Sequence, residues 1–179
     1  MIYLQYKGVI VMIDIYEINN KCNEILESTI QKFNIIEKFL IKNDLSERCI
    51  CSKFASYLEK EIKDSVFSDY TVDVEYNRGY LGREYRPKAL NDQNITVDLI
   101  VHKRSNQPDN RGFNNLICIE MKKHHLKSGI AQDRERIKKL INPAYGFCYK
   151  VGYIVLIVRS KRRNEYCLKI EDPIEYQIR

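Results

Sequence analysis

Charged residues at the end of an apolar segment are the first chemical feature of this sequence. Residues Asn115–Lys123 (NLICIEMKK) begin as a short apolar run, typical of a strand covered on both faces, and end in charge. Because side chains alternate along a strand, Glu120 and Lys122 are expected on one face, and Met121 and Lys123 on the other. A carboxylate and an amine side by side at the rim of a sheet would suit half of a metal-dependent phosphodiesterase site.

A second carboxylate, Asp98, interrupts the segment Ile95–Lys103, whose alternating pattern predicts a strand with Asp98 in its middle. Aspartate is depleted in strand interiors and costly to bury without a partner, so Asp98 requires a nearby cation. The polar connection Arg104–Asn114 is of hairpin type. It predicts that the strands carrying Asp98 and Glu120 are antiparallel neighbours.

A third carboxylate, Glu47, falls on the apolar stripe of a helix predicted from about Leu45 to Lys63. A charge on the inward face of a helix is costly unless something compensates it. Asp44 followed by Glu47 also resembles a capping box, in which Glu47 would only stabilise the start of the helix. The local sequence favours neither interpretation.

The remaining elements follow from hydrophobic periodicity and from residues that break helices or form turns. Residues 1–18 suit an added strand, and a long helix follows from about Asn20 to Lys42, with Ile36 and Phe39 on its inner face. Later segments predict strands at Asp69–Tyr76, Val151–Val158 and Tyr166–Ile170, with a helix from Ser128-Gly129 to about Ile141. Val151–Val158 is expected to be a central parallel strand that this helix connects to the preceding one.

Residues Asn77–Asn94 are predicted to form a long loop, in which arginines and lysines alternate with tyrosines. Arg78 and Lys88 are candidates for phosphate contact, because basic side chains beside aromatic rings suit nucleic acid. A plain solvated loop explains the same composition, and without further context it is the simpler interpretation.

Composition sets broad limits on the protein. The 179 residues suit one domain, with residues 1–42 as an elaboration of a core at residues 45–170. A formal net charge of +6 is compatible with a nucleic-acid partner but fits many solvated surfaces. The six cysteines lack zinc-ligand spacing and are predicted to be small buried hydrophobes in a reducing compartment. With no signal peptide and no membrane-length apolar run, the expected location is the cytoplasm.

The order of predicted elements gives an α/β class, a mixed sheet flanked by helices with an αβββαβ core and an extra N-terminal helix. With Val97-Asp98 in one strand and Glu120-Met121-Lys122 in the next, the chain resembles the PD-(D/E)XK nuclease superfamily, which has the restriction-endonuclease-like fold. The resemblance covers about Leu45 to Val158, and Val97 replaces the usual proline. More narrowly, the segments SERCICSKFASYLE, DVEYNRG and NNLICIEMKK look like a group of small bacterial proteins without a firmly assigned substrate.

The resemblance implies a metal-dependent nuclease. Asp98 and Glu120 would hold Mg²⁺ or Mn²⁺, with the backbone carbonyl of Met121 as a further ligand, because these cations prefer hard oxygen atoms. Lys122 would orient and help deprotonate the attacking water, or stabilise the transition state. Glu47 would hold a metal-bound water or a second ion.

The same resemblance implies a nucleic-acid partner, with DNA expected. Gln132 or Asp133, from the helix before Ile141, would face the site or touch substrate, together with Arg78 and Lys88. Assembly as a homodimer or within a larger complex stays open.

Three alternatives compete with catalysis. The charges could form a structural Asp98–Lys122 ion pair at the sheet edge. The fold could serve as a catalytically silent binding or scaffold module that acts through a protein, nucleic-acid or small-ligand partner. A basic nucleic-acid-binding protein without catalysis is the third. Four inward charges retained together favour the metal site over each of them.

Overall fold

A mixed β-sheet between two groups of helices organises the chain. The computed structural model describes residues 2–6, 9–43, 45–81, 84–90, 93–104, 113–123, 127–160, 165–171 and 173–175. The helices in these ranges are α1 (Ile15–Ile36), α2 (Lys38–Lys42), α3 (Glu47–Lys63) and α4 (Lys127–Ile141). The strands are β1 (Ile2–Tyr6), β2 (Val9–Ile13), β3 (Thr71–Val74), β4 (Arg78–Leu81), β5 (Glu84–Pro87), β6 (Ala89–Leu90), β7 (Gln93–Asn94), β8 (Leu99–His102), β9 (Asn115–Lys123), β10 (Val151–Ser160), β11 (Glu165–Ile170) and β12 (Ile174–Glu175).

The central sheet has the order β11-β10-β9-β8-β3, and β12 also pairs with β10. Strands β9 and β10 are parallel, as predicted for a connection through α4. The pairs β8–β9 and β10–β11 are antiparallel, and the first of them confirms the predicted hairpin relation. Residues 105–112 of the connection between β8 and β9 lie outside the described ranges. Strand β12 was not predicted.

Two hydrophobic cores cover opposite faces of this sheet, and alternation along β9 divides its residues between them. Ile117, Ile119 and Met121 pack into the core formed with α1 and α3. Cys118 packs into the second core, with Ile137 and Leu140 of α4. The long apolar runs of β9 and β10 exist because both faces are covered. The predicted class, a mixed sheet flanked by helices, is therefore correct.

The helix predicted over residues 20–42 is two helices. It begins earlier than expected because Asp14 caps α1, its side chain accepting a hydrogen bond from the Glu17 N–H at 2.8 Å. The first helix, α1, ends at Ile36, and Glu37 separates it from α2, which starts at Lys38. The predicted inner face does not continue through this break, since Ile36 and Phe39 are exposed whereas Ile41 is buried.

Two segments contain more strands than the sequence indicated. The first 13 residues contain the antiparallel hairpin β1–β2, which forms a two-stranded sheet of its own rather than one added strand. The predicted loop Asn77–Asn94 contains two small antiparallel hairpins, β4–β5 and β6–β7. Residue patterns over such short strands are too brief to distinguish them from a loop.

The cysteines are free thiols, and Cys22, Cys51 and Cys118 are buried as predicted. Cys49 is instead exposed, because it lies on the outer face of α3. None of the helices in the described part of the chain combines the length and apolarity needed to cross a bilayer.

Candidate active site

Asp98 lies immediately before β8 rather than in the middle of a strand, because β8 begins at Leu99. Its carboxylate still reaches β9, where Oδ2 accepts a hydrogen bond from the Met121 N–H at 2.8 Å. Its backbone carbonyl accepts a second bond from the Glu75 N–H at 3.0 Å. Asp98 is thus held through both its side chain and its backbone at the start of β8.

Glu120 is almost fully buried, with 2% of its surface exposed. Burial and the nearby Asp98 charge raise the pKa of this carboxyl to about 8, although Arg136 of α4 opposes the shift. The Arg136 guanidinium donates to Glu120 Oε1 at 2.6 Å. The predicted direction of Glu120, toward the face opposite Met121, is confirmed by this contact with α4.

The carboxyl groups of Asp98 and Glu120 lie together. Burial raises the pKa of Asp98 above its ordinary value, while hydrogen bonds with the Met121 N–H and with the Glu120 carboxyl act to lower it. Each carboxyl therefore has a raised pKa and a like-charged neighbour. Two acids in this relation favour either a shared proton or a bound cation.

Lys122 is paired with α4 rather than with Asp98. Its Nζ lies 3.3 Å from Asp133 Oδ2, within ion-pair range but without hydrogen-bond geometry. Burial would lower the pKa of Lys122, but the contact with Asp133 and the charges of Glu47 and Asp98 together outweigh this effect, and the pKa is raised. The structural Asp98–Lys122 ion pair is thus not the arrangement found between these two described residues.

Glu47 reaches the same edge from α3. The helix is capped by Ser46, whose side chain accepts from the Cys49 N–H at 3.2 Å, so Glu47 is its first residue. Glu47 Oε1 instead accepts a hydrogen bond from the Lys123 N–H at 3.1 Å. The capping-box interpretation is therefore wrong on the Glu47 side, and Asp44 lies outside the described residues.

An open cavity of about 430 Å³ lies beside these groups, at the amino end of α3. Its lining includes Glu47, Cys51, Asp98 and Met121, together with the ion pair between Arg48 and Glu75 at 2.8 Å. Glu75 has a left-handed backbone with a φ of 51°. A non-glycine residue in this conformation carries strain, which is common beside functional sites.

Two residues of α4 complete the arrangement. Arg136 Nη1 bridges Glu120 Oε1 at 2.6 Å and Asp133 Oδ1 at 3.3 Å, and Asp133 also pairs with Lys122. Asp133 was named only as an alternative to Gln132, although its place four residues before Ile137 puts it on the inner stripe. Arg136 was missed, because nothing in its local pattern distinguishes it from the other basic residues of α4.

The residues predicted to contact nucleic acid are placed differently from one another. Arg78 is exposed on β4, and Gln132 is exposed on α4, where it lines a second opening. Lys88 is buried, with 2% of its surface exposed, and its Nζ donates to the Tyr149 hydroxyl at 2.7 Å. The prediction that Lys88 contacts phosphate is wrong in this structure, because Tyr76 and Tyr149 enclose its ammonium group.

The cation that the resemblance implies, Mg²⁺ or Mn²⁺, would meet two neighbouring carboxyl groups here, those of Asp98 and Glu120. Within the described ranges, no three Asp, Glu, His or Cys side chains converge closely enough to hold a metal ion by themselves. The Asp98–Glu120 pair nevertheless fits Mg²⁺, which typically binds one or two carboxylates and completes its coordination with water and substrate phosphate. Glu47 does not join the pair as a third ligand and contacts the backbone of β9 instead.

Comparisons of the chain with protein-family models, with curated proteins and with solved structures find no match.

Proposed function

We propose that this protein is a metal-dependent nuclease that hydrolyses phosphodiester bonds, with DNA as the expected substrate. The observation that carries the proposal is the Asp98–Glu120 carboxyl pair, held on neighbouring strand ends beside an open cavity. The order α3, β3, β8, β9, α4, β10 is also consistent with the αβββαβ core of the PD-(D/E)XK superfamily. The short hairpins between β3 and β8 would then be insertions into that core.

Mg²⁺ or Mn²⁺ bound by Asp98 and Glu120 would supply Lewis-acid chemistry and neutralise charge on the phosphate. The protein's own residues prepare that position. The Met121 N–H orients Asp98, and the Glu120 side chain is held by Arg136. A cation between the two acids would stabilise their charged forms and so oppose the burial that raises both pKa values and the Asp98 charge that adds to the shift of Glu120.

Lys122 would act as a cation rather than as a base. Its pKa is raised, so its amine is protonated near neutral pH. The ammonium group can donate hydrogen bonds but cannot accept a proton. Asp133 holds the ammonium group beside the carboxylates. From there Lys122 would orient the attacking water or stabilise negative charge that develops on the phosphoryl oxygens.

Cleavage assays test this function. Wild-type protein should nick plasmid DNA or degrade single-stranded DNA with Mg²⁺ or Mn²⁺, and Asp98→Asn and Glu120→Gln should each abolish the activity. Asp69→Asn is a matched control, because Asp69 forms a surface ion pair with Lys103 away from the site. Activity that survives both site substitutions in purified protein would contradict the proposal.

A catalytically silent binding or scaffold module is the second candidate, favoured by one observation. Arg136 already places a positive charge on Glu120, as expected of a site that needs no metal. Calorimetry separates the two functions. Absence of Mg²⁺ and Mn²⁺ binding, together with absence of cleavage, would favour the silent module.

A further inference from the structure

A second opening, of about 560 Å³, lies on the α4 side of the sheet. One wall is α4 and the other is the hairpin β6–β7 with the residues that follow it. Leu90 and Ile95 supply its apolar surface. We name this opening the α4 groove.

The polar lining of the α4 groove is suited to a nucleic-acid strand. Its amide, hydroxyl and basic side chains are Gln93, Asn94, Thr96, Gln132, Arg136 and Lys139. Amides present donors and acceptors together, as base edges do, and the basic groups match phosphates. The acidic residue of the lining, Glu135, has its charge compensated by Lys138 at 2.6 Å.

Arg136 connects this groove to the carboxyl pair. Arg136 belongs to the lining of the groove, and its guanidinium donates to Glu120 at 2.6 Å. Arginine has five N–H donors in a planar fork, so a guanidinium bound to a carboxylate retains donors for a phosphate. A strand in the groove would therefore have a phosphate one side chain away from Glu120.

We propose that the α4 groove binds a single strand of nucleic acid and leads it to the carboxyl pair, an inference that rests on the proposed nuclease function. The groove's volume of about 560 Å³ is that of a small-ligand site, which favours a few unpaired nucleotides over a duplex as the occupant. Lys139 is the residue that tests the groove, since no ion pair involves it among the described residues.

The experiment measures fluorescence anisotropy of a labelled single-stranded oligonucleotide and of the matching duplex. It uses the Asp98→Asn background, so that the probe stays intact. Lys139→Glu should weaken single-strand binding at least about tenfold and reduce its salt dependence. Gln132→Lys should tighten it. Lys38→Glu is the matched control, because exposed Lys38 begins α2 and the α1–α3 helices lie on the opposite face of the sheet.

The outcomes separate the groove from the catalytic proposal when cleavage by otherwise wild-type protein is measured in parallel. In one outcome, the protein cleaves DNA while the Lys139→Glu and Gln132→Lys variants bind the single strand as tightly as the unsubstituted protein does. That result would overturn the groove proposal and be consistent with the nuclease proposal. Binding that follows both substitutions without metal-dependent cleavage would support the groove and contradict the nuclease. Tighter binding of the duplex than of the single strand would overturn the groove, and circular dichroism checks that each variant is folded.

Discussion

Adjacent lysines at the end of β9 have different surroundings. Lys122 is held by Asp133 of α4, whereas the backbone N–H of Lys123 contacts Glu47 of α3. Alternation along the strand predicted that these neighbours would face opposite sides, with Lys122 on the side of Glu120. A test of the proposed chemistry can therefore be made within one dipeptide.

Lys122→Ala should reduce the single-turnover cleavage rate about a hundredfold or more, as for loss of a donor that stabilises transition-state charge. Lys123→Ala keeps the backbone N–H that Glu47 accepts, so its rate should stay close to wild type. Equal losses in the two variants would contradict the assigned role of Lys122.

Lys88 gives a second prediction at the residue scale, on stability. Burial lowers the pKa of Lys88 to about 8, although the charges of Cys118 and Asp73 oppose the shift. The unfolded chain then binds an extra proton between about pH 8 and pH 10. The Lys88 contribution to the free energy of unfolding is lowest below pH 8 and rises by up to about 1.4 kcal/mol per pH unit above it.

Urea unfolding of wild type and Lys88→Met over pH 7 to 10 measures this contribution as a difference. The difference matters because burial raises the pKa values of Cys22 and Cys118, which makes total stability fall with pH over the same range. As pH rises, the free energy of unfolding of wild type should increase relative to that of Lys88→Met. A constant difference between the two proteins would show that Lys88 does not titrate as described.

Which residues gather at the candidate site was more predictable than how each is paired. Residue type and apolar neighbours identified Asp98, Glu120 and Lys122 as candidates, since a charge within an apolar segment stands out in sequence. Arg136 and the enclosure of Lys88 depend on how α4 and the 77–94 insertion pack on the sheet. Local sequence patterns do not indicate such long-range contacts.

At the scale of elements, the start of α3 positions the end of β9. Ser46 caps the helix, which leaves the Glu47 side chain available to accept a hydrogen bond from the Lys123 N–H. Under the proposed function, this contact assigns Glu47 the role of a positioning residue rather than a metal ligand. The two roles predict different effects when an amide replaces the carboxylate of Glu47.

Glu47→Gln keeps a side-chain oxygen that can accept the Lys123 N–H, so cleavage should fall only a few-fold and Mn²⁺ affinity should be unchanged. Glu47→Ala removes the acceptor and should reduce cleavage further. Hydrogen exchange at the Lys123 amide provides a readout besides activity, with faster exchange in the alanine variant. Glutamine and alanine variants that both lose Mn²⁺ affinity would indicate a metal ligand instead.

Long periodic elements were predictable, but their boundaries were less so. The inner stripe of α3 and the apolar runs of β9 and β10 were identified because their apolar residues occupy the buried positions. The break at Glu37 was missed, since the apolar residues that follow it kept helical spacing while Ile36 and Phe39 turned to solvent. The hairpins within residues 77–94 consist of strands too short for periodicity to detect.

For the whole molecule, the sheet has an opening on each side, and each opening has at least one residue of the candidate site in its lining. The cavity beside α3 is lined by Asp98, and the α4 groove is lined by the arginine that binds Glu120. The net charge of +6 adds a general attraction for a polyanion. This arrangement is what the proposed nuclease requires. The proposal depends on a cation that binds between Asp98 and Glu120.

Mn²⁺ binding measured by titration calorimetry is the most direct test of that central claim. Wild-type protein should bind Mn²⁺, and Asp98→Asn and Glu120→Gln should each weaken binding at least about tenfold, or 1.4 kcal/mol. Asp69→Asn should bind as wild type does. Mn²⁺ affinity that is absent from wild type, or unchanged in both site variants, would contradict the account.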